Sequence, residues 1–92
     1  MSWFVYLLEC HDRSIYTGIC IDVAARFEQH VSGKGARYTR AHPPLRVLAA
    51  IPCVDRSTAA KTEYRIKQLS ADAKRALAQR HGLADSPQTA QG

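Results

Sequence analysis

Two short apolar stretches near the start of the chain, separated by a polar segment, place the strongest constraint on the fold. The stretches "WFVYLLEC" (3–10) and "IYTGI" (15–19) are rich in aromatic and β-branched residues, which favour β-strands. The segment "HDRS" (11–14) between them is polar, so the pattern predicts a β-hairpin. Further elements must pack on this hairpin, because a chain of 92 residues has room for one core.

The length of the hairpin loop decides whether Tyr6 and Tyr16 share a face of the sheet. A loop of two or four residues centred between Asp12 and Arg13 places the tyrosines on opposite faces, because side chains alternate along a strand. A loop of three or five residues, or a β-bulge, places them on the same face. The sequence leaves both arrangements open.

The segment after the hairpin predicts an amphipathic helix. Asp22 stands in the N-cap position, and Val23, Phe27 and Val31 recur at helical spacing. A helix of about three turns is therefore expected to end at Gly33. Its apolar stripe is expected to face the sheet.

The remaining pattern predicts a loop, a strand and two helices. Residues 33–44 contain two glycines and end in Pro-Pro, which indicates a loop. Residues 45–54 are expected to form a strand whose far end is made an edge, a bulge or a terminus by Pro52. Ser57 and Ser70 are expected to cap the last two helices. The inward-facing residues of these helices are predicted to be Ala59, Ile66, Leu69, Ala73, Ala76 and Leu77, with Gly82 at the C′ position of the second.

The element order β-β-α-β-α-α predicts an α+β fold, in which helices cover a small sheet. One domain is expected over residues 1–83. Residues 84–92 have no periodic pattern, so they are expected to form a disordered tail.

The charge and the cysteines narrow the class of protein. The formal net charge is +5 and the pI about 9.5, which favours an anionic partner, either nucleic acid or a membrane surface, although an ordinary soluble protein fits the charge equally well. The three cysteines are odd in number and widely spaced, as is typical of free thiols in a reducing compartment. The apolar opening is too short to span a bilayer and lacks a signal-peptide pattern. A cytoplasmic location is therefore expected.

Arg26 and His30 stand on the inner border of the first predicted helix. At about 100° per residue, His30 falls within about 20° of Val23, and Arg26 lies about 60° from it. Two interpretations stay open. The pair is either structural, with Arg26 lying over the core and His30 packed within it, or part of a functional site at the rim of the sheet.

Glu63 is predicted to face inward between Ala59 and Ile66. A buried or half-buried carboxylate is costly unless a cation or several donors compensate its charge. Arg26, Lys67 and a bound metal are the candidate cations.

With these residues in place, the chain resembles the GIY-YIG nuclease superfamily, in particular its small, stand-alone bacterial single-domain members. The segment "FVY" (4–6) matches the first half-motif and "YTG" (16–18) the second. Arg26 and His30 follow at the family's spacing, the segment "GKGARYT" (33–39) resembles the loop of the small members, and Glu63 matches the family's helical glutamate.

The resemblance implies a three-stranded antiparallel sheet flanked by helices, and a nuclease that hydrolyses phosphodiester bonds with one divalent metal, Mg²⁺ or Mn²⁺. It implies Glu63 as the metal ligand, since these cations accept one or two carboxylates together with water and phosphate oxygens. The implied catalytic residues are Tyr6, Tyr16, Arg26, His30 and Glu63. The residues expected to contact nucleic acid are Gly18, Lys34, Arg37, Tyr38 and Arg40.

Four features depart from the family pattern. Phe4 stands where glycine is usual, Thr17 occupies the middle of the second half-motif, Ile19 replaces a frequent lysine, and the chain contains no asparagine. The alternative interpretation is a nucleic-acid-binding module without efficient cleavage.

The expected partner is nucleic acid, with DNA favoured over RNA and DNA repair or nucleic-acid processing the natural context. No membrane partner is expected, while a protein partner or a homodimer stays open.

Overall fold

A computed structural model describes residues 2–81, which form a three-stranded antiparallel sheet in the order β2-β1-β3 with helices packed against it. This confirms the predicted α+β class. Gly82 and the predicted tail at 84–92 lie outside the described residues. In chain order the elements are β1 (Trp3–Cys10), β2 (Ile15–Cys20), α1 (Val23–Val31), α2 (Arg37–Ala41), β3 (Pro44–Cys53), α3 (Arg56–Lys67) and α4 (Ala71–Arg80).

Residues 11–13 form a three-residue turn between Cys10, the last residue of β1, and Ser14, which precedes β2. The backbone N–H of Cys10 donates to the carbonyl of Ser14 at 2.9 Å, and the N–H of Arg13 donates to the carbonyl of Cys10 at 2.8 Å. Arg13 has a φ of +72°, the left-handed conformation that closes three-residue hairpin loops. The carboxylate of Asp12 accepts hydrogen bonds from the backbone N–H and the hydroxyl of Ser14, at 3.1 and 2.6 Å.

The odd loop length places the two half-motif tyrosines on one face. Tyr6 pairs with Gly18 across the strands, and Leu8 pairs with Tyr16. Tyr6 and Leu8 are two residues apart on β1, so Tyr6 and Tyr16 point to the same side. Of the two arrangements that the sequence left open, the structure has the shared face.

The two faces of the sheet are covered by different helices. On one face, α3 and α4 bury Ala59, Ile66 and Ala78 against Val5 and Leu7. We call this the core face. On the opposite face, α1 packs against Tyr6, Leu8 and Cys20 with Val23 and Phe27; we call this the tyrosine face.

The predicted loop at 33–44 was wrong in its middle, where residues 37–41 form the short helix α2. Gly33, with a φ of +82°, ends the preceding segment, and Pro43 and Pro44 stop any continuation. Residues 36–42 contain neither glycine nor proline. The helix closes with a hydrogen bond from the His42 N–H to the Tyr38 carbonyl, 2.8 Å long.

Two helix starts were predicted correctly and one was not. Asp22 caps α1 and Ser70 caps α4, accepting from backbone N–H groups at 3.0 and 3.1 Å. The cap of α3 is Asp55, which accepts from Thr58 N–H at 2.7 Å, rather than Ser57. The carboxylate of Asp55 starts the helix two residues earlier and adds a favourable negative charge at the helix N-terminus.

Three inward-facing assignments were also wrong. Leu69 is exposed because α3 ends at Lys67, before the helical period reaches it. On α4, Ala76 is exposed and Ala78 is buried instead. On α1, Val31 is 53% exposed, so the buried stripe ends one residue earlier.

The strand β3 follows the prediction closely. It pairs with β1 and forms one edge of the sheet, and Pro52 lies opposite Phe4 near the end of the strand. Pro52 is tolerated there because an edge strand leaves one side of its backbone without a ladder partner.

Within residues 2–81, no helix combines the length and apolar character needed to cross a membrane.

A buried carboxylate ties α4 to the sheet. Glu9, on the core face of β1, accepts a 2.8 Å hydrogen bond from Arg46 Nε and a 2.7 Å bond from Arg75 Nη1. Arg75 also donates to the carbonyl of Arg13 at 2.7 Å. These bonds, with that of Arg75 the stronger influence, hold the pKa of Glu9 below its ordinary value.

Candidate active site

Tyr6 lies at the centre of the tyrosine face. Its side chain is buried, and its hydroxyl lies 2.8 Å from Nε2 of His30. Burial raises the pKa of Tyr6 to about 12, although the neighbouring Arg26 opposes this shift. The phenol is therefore protonated at neutral pH and acts as a hydrogen-bond donor.

His30 faces the sheet, as its angle on the helix predicted. It is 1% exposed, and its Nδ1 lies 2.7 Å from the hydroxyl of Thr39. Burial lowers the pKa of His30, and the positive charge of Arg26 lowers it further. Both effects favour the neutral imidazole, which has hydrogen-bond partners at both ring nitrogens.

The segment after α1 folds back over His30. Thr39 is buried, and its hydroxyl donates to the carbonyl of Ala36 at 3.0 Å. A Cβ at Gly35 would lie only 2.8 Å from Cγ and Cε1 of the His30 ring. Gly35 and Thr39 are site residues that the sequence reasoning missed, and the signal was their place in the segment that resembles the family's loop.

Gly18 leaves room for the Tyr6 phenol across the strand pair. A Cβ at position 18 would lie 2.5 Å from the Tyr6 hydroxyl oxygen, 2.7 Å from its Cζ and 3.1 Å from Cε2 of Tyr16. Contacts under 3.0 Å force a displacement. Glycine is therefore required here for the packing of Tyr6, whatever role its backbone has toward a substrate.

Tyr16 completes a tyrosine–histidine cluster, which we define as Tyr6, Tyr16 and His30. The Tyr16 ring is half-buried, with its centroid 6.2 Å from that of Tyr6 and 5.1 Å from that of His30. Tyr38 of α2 stacks on Tyr16 at 5.7 Å, with 29° between the ring planes. One continuous aromatic surface therefore joins β2 to α2.

The far end of this surface is anchored to the hairpin turn. His42 stacks on Tyr38 with a centroid distance of 4.2 Å, and its Nδ1 lies 2.5 Å from the Asp12 carboxylate. The turn that sets the tyrosine register thus also holds the end of α2.

Arg26 brings a permanent positive charge to the cluster. It is half-buried, and its Nη1 donates to the Gln29 side chain at 2.7 Å. Its charge opposes the rise in the pKa of Tyr6 and of Cys20. The segment after α1 contains the predicted nucleic-acid contacts Lys34, Arg37 and Arg40. All three are exposed, so their ammonium and guanidinium groups are accessible to a ligand.

Glu63 lies on α3, the helix that packs on the core face. Its side chain is 23% exposed, and Oε2 pairs with Lys67 Nζ at 3.3 Å, so Lys67 supplies one of the compensating cations considered above. Within residues 2–81, Glu63 forms no hydrogen bond or ion pair with Tyr16, Arg26 or His30. The same residues contain no group of three or more His, Cys, Asp or Glu side chains that could hold a metal.

Comparison with known proteins gives the chain a family. A family model described as the GIY-YIG catalytic domain matches residues 2–76. A UPF0213 protein of Cupriavidus necator is 55% identical over 76 residues, which cover 83% of each chain. A UPF0213 protein of Xanthomonas campestris is 49% identical over 81 residues, covering 88% of this chain and 79% of that protein.

Solved structures support the same family assignment. The solution NMR structure of a UPF0213 protein from Bacillus halodurans has a TM-score of 0.57 at 42% identity, covering 91% of this chain and 89% of that one. A solution NMR structure from E. faecalis has a TM-score of 0.60 at 31% identity, covering 87% and 85%. Together with the shared face of the two half-motif tyrosines, these matches mean that the chain belongs to the GIY-YIG family, a nuclease superfamily, with UPF0213 proteins of bacteria among its relatives.

Proposed function

We propose that this protein is a divalent-metal-dependent endonuclease that hydrolyses phosphodiester bonds, with DNA the favoured substrate. The observation that carries the proposal is the gathering of Tyr6, Tyr16 and His30 on one face beside Arg26. Three oriented ring groups and a fixed cation supply what phosphodiester hydrolysis requires, namely proton transfer and neutralisation of developing negative charge.

The two tyrosines take different roles. Tyr16 is half-buried, so its phenol can contact the nucleophilic water. Tyr6 is buried, with a pKa raised to about 12, which makes it a poor base at neutral pH. We therefore assign proton acceptance to Tyr16 and the positioning of the reacting groups to Tyr6 and His30. A phenol that accepts a proton at neutral pH requires a cation to stabilise its phenolate, and Arg26, which lies beside Tyr6, is the candidate.

The charged residues bind the substrate backbone. The guanidinium of Arg26 has the planar geometry that pairs with two phosphoryl oxygens. Lys34, Arg37 and Arg40 are exposed and bind flanking phosphates in a salt-dependent manner. Tyr38 already stacks on protein rings and is 37% exposed, so a nucleobase can stack only on its remaining free surface.

The protein supplies one carboxylate, that of Glu63, to a hard cation, so water and substrate phosphate oxygens would have to supply the other ligands. We assign Glu63 as the carboxylate ligand; its Oε2 is paired to Lys67, and its side chain is still partly exposed. Mg²⁺ accepts such a site, because it uses one or two carboxylates and completes its shell with water and phosphate oxygens. When bound, the metal stabilises charge on the phosphoryl and leaving oxygens. Glu63 would hold the metal, and the Lys67 ammonium, now paired with Oε2, would have to move aside for it.

The alternative is a nucleic-acid-binding module that retains the fold without efficient cleavage. The pairing of Glu63 with Lys67 favours it. In that case the basic residues and Tyr38 bind nucleic acid, and the tyrosine–histidine cluster is structural.

A cleavage panel separates the two proposals. Labelled single-stranded, duplex, flapped and junction DNA, with matching RNA, is incubated with the protein in Mg²⁺, Mn²⁺ or EDTA. We expect metal-dependent cutting that Glu63→Ala abolishes, while Glu28→Ala, an exposed glutamate on α1, retains it. Salt-sensitive binding without cutting of any substrate contradicts the nuclease proposal and supports the binding module.

A further inference from the structure

The hydrogen bonds around His30 determine which of its nitrogens carries the hydrogen. The hydroxyl of Thr39 has one hydrogen, which it donates to the Ala36 carbonyl at 3.0 Å. Its oxygen can therefore only accept from Nδ1 of His30, 2.7 Å away. Both side chains are buried, with exposures of 1% for His30 and 2% for Thr39, so water does not replace either bond.

A competing donor approaches the same nitrogen. The backbone N–H of Ala36 lies 3.5 Å from Nδ1 and, as a donor, favours a bare nitrogen there. That distance is at the outer limit of a hydrogen bond, whereas the bond to Thr39 has normal length. The Thr39 contact therefore decides the tautomer.

We propose that Thr39 is a positioning residue that holds His30 in the tautomer with its hydrogen on Nδ1, so that Nε2 accepts the hydrogen of the Tyr6 phenol. The second bond is 2.8 Å long. The tautomer of a histidine is set by the hydrogen bond of its other nitrogen, here one made by a residue that lies outside both half-motifs.

This inference rests on the proposed nuclease function and sharpens the role of Tyr6. Because the single phenol hydrogen is given to His30, the Tyr6 oxygen has only lone pairs left. It can accept a hydrogen bond from a water molecule or from Arg26, but it cannot donate one to a phosphoryl oxygen. Tyr6 therefore serves the site as a hydrogen-bond acceptor and does not bind the phosphate.

The test is ¹⁵N NMR of the histidine rings of the full chain at neutral pH, which requires no substrate and no metal. The chain has four histidines, and His30→Gln identifies the signal of interest. We expect wild-type His30 to show a protonated Nδ1 and a bare Nε2. In Thr39→Val the pattern should reverse, because the Ala36 N–H then remains to face Nδ1. Thr39→Ser should restore the wild-type pattern.

Controls keep the result decisive. Thr62→Val removes another hydroxyl that donates to a backbone carbonyl, at 2.9 Å, and should leave the His30 signals unchanged. Thr39→Ala serves if the valine variant does not fold. A protonated Nε2 in the wild type, or an unchanged tautomer in a folded variant without the hydroxyl, overturns the proposal. Since the readout is not cleavage, failure of the nuclease proposal leaves this result interpretable.

Discussion

The two faces of the sheet use alternate residues of the same strands, yet they have different chemistry. The core face buries Val5 and Leu7 against α3 and α4. The tyrosine face carries Tyr6, hydrogen-bonded to His30 and close to Tyr16. Period-2 alternation thus places the apolar core and the tyrosine–histidine cluster on opposite sides of one thin sheet. A substitution can therefore affect one without reaching the other.

The faces also differ in how their buried polar groups are satisfied. On the tyrosine face, the hydroxyls of Tyr6 and Thr39 and both nitrogens of His30 have partners. On the core face, Thr17 is buried, and its hydroxyl is without a partner among the described residues. Because an unpaired buried polar group is costly, we infer that the polar network of the tyrosine face is the better specified of the two.

The largest effect is expected from Gly18→Ala, which damages the tyrosine face. The new Cβ overlaps the Tyr6 phenol, so Tyr6 must move away from His30. Cleavage should fall by about 100-fold, the effect of misplacing a reacting group by about 1 Å, and stability by about 1–3 kcal/mol from overpacking. Cleavage rates and thermal unfolding measure both.

Gly33→Ala is the matched control for that substitution. Among the residues that the structure describes, nothing lies within 4 Å of the new Cβ, although the φ of Gly33 is +82°. The variant should therefore lose about 1 kcal/mol of stability from backbone strain and keep its cleavage rate per folded molecule. Equal loss of cleavage in both variants would contradict the assigned role of Gly18.

The second effect concerns Glu9 on the core face. Glu9→Gln removes the charge that Arg75 and Arg46 bind, and should destabilise the fold by about 2 kcal/mol at neutral pH. The pKa of Glu9 is lowered below its ordinary 4.5, so this contribution is complete above about pH 4.5 and is lost as the pH falls through the lower folded-state value.

Denaturant unfolding at neutral pH and at successively lower pH values below 4.5 checks this dependence. The difference between wild type and Glu9→Gln should be constant near neutrality and should shrink in acid. Glu28→Gln, on an exposed glutamate, should show little difference at either pH. A Glu9 difference that persists unchanged in strong acid would refute the ion-pair explanation.

The smallest effect is a gain of stability. Thr17→Val replaces an unpaired buried hydroxyl with a methyl group of similar shape, and should stabilise the fold by about 1 kcal/mol without changing cleavage. Thr62→Val, which loses a hydrogen-bonded hydroxyl, should give no such gain. Destabilisation by Thr17→Val would indicate that the hydroxyl has a partner, such as water, on the core face.

The sequence predicted what depends on local pattern. Strand composition located the hairpin, and helical angles placed His30 toward the sheet. The sequence did not predict whether the hairpin loop has an odd or an even number of residues, because the segment "HDRS" accommodates loops of several lengths. The left-handed φ of Arg13 and the hydrogen bonds between Asp12 and Ser14 select three residues.

Contacts between residues that lie far apart in the sequence were not predicted. Thr39 reaches His30 only because the segment containing Gly35 folds back over the ring. Arg46 and Arg75 lie 37 and 66 residues from Glu9 in the sequence, and no local period links them. The pairing of Glu63 with Lys67 was among the predicted options because it is an i,i+4 contact on one helix.

The most direct test of the account is the rate of metal-dependent cleavage by Tyr16→Phe beside Tyr64→Phe. Each variant loses one phenol hydroxyl, but Tyr64 is 69% exposed and, within residues 2–81, its ring takes no part in the contacts of the tyrosine–histidine cluster. If the tyrosine face is the nuclease site, Tyr16→Phe should lose cleavage while remaining folded and able to bind nucleic acid, and Tyr64→Phe should cleave like the wild type. Undiminished cleavage by Tyr16→Phe would contradict the account.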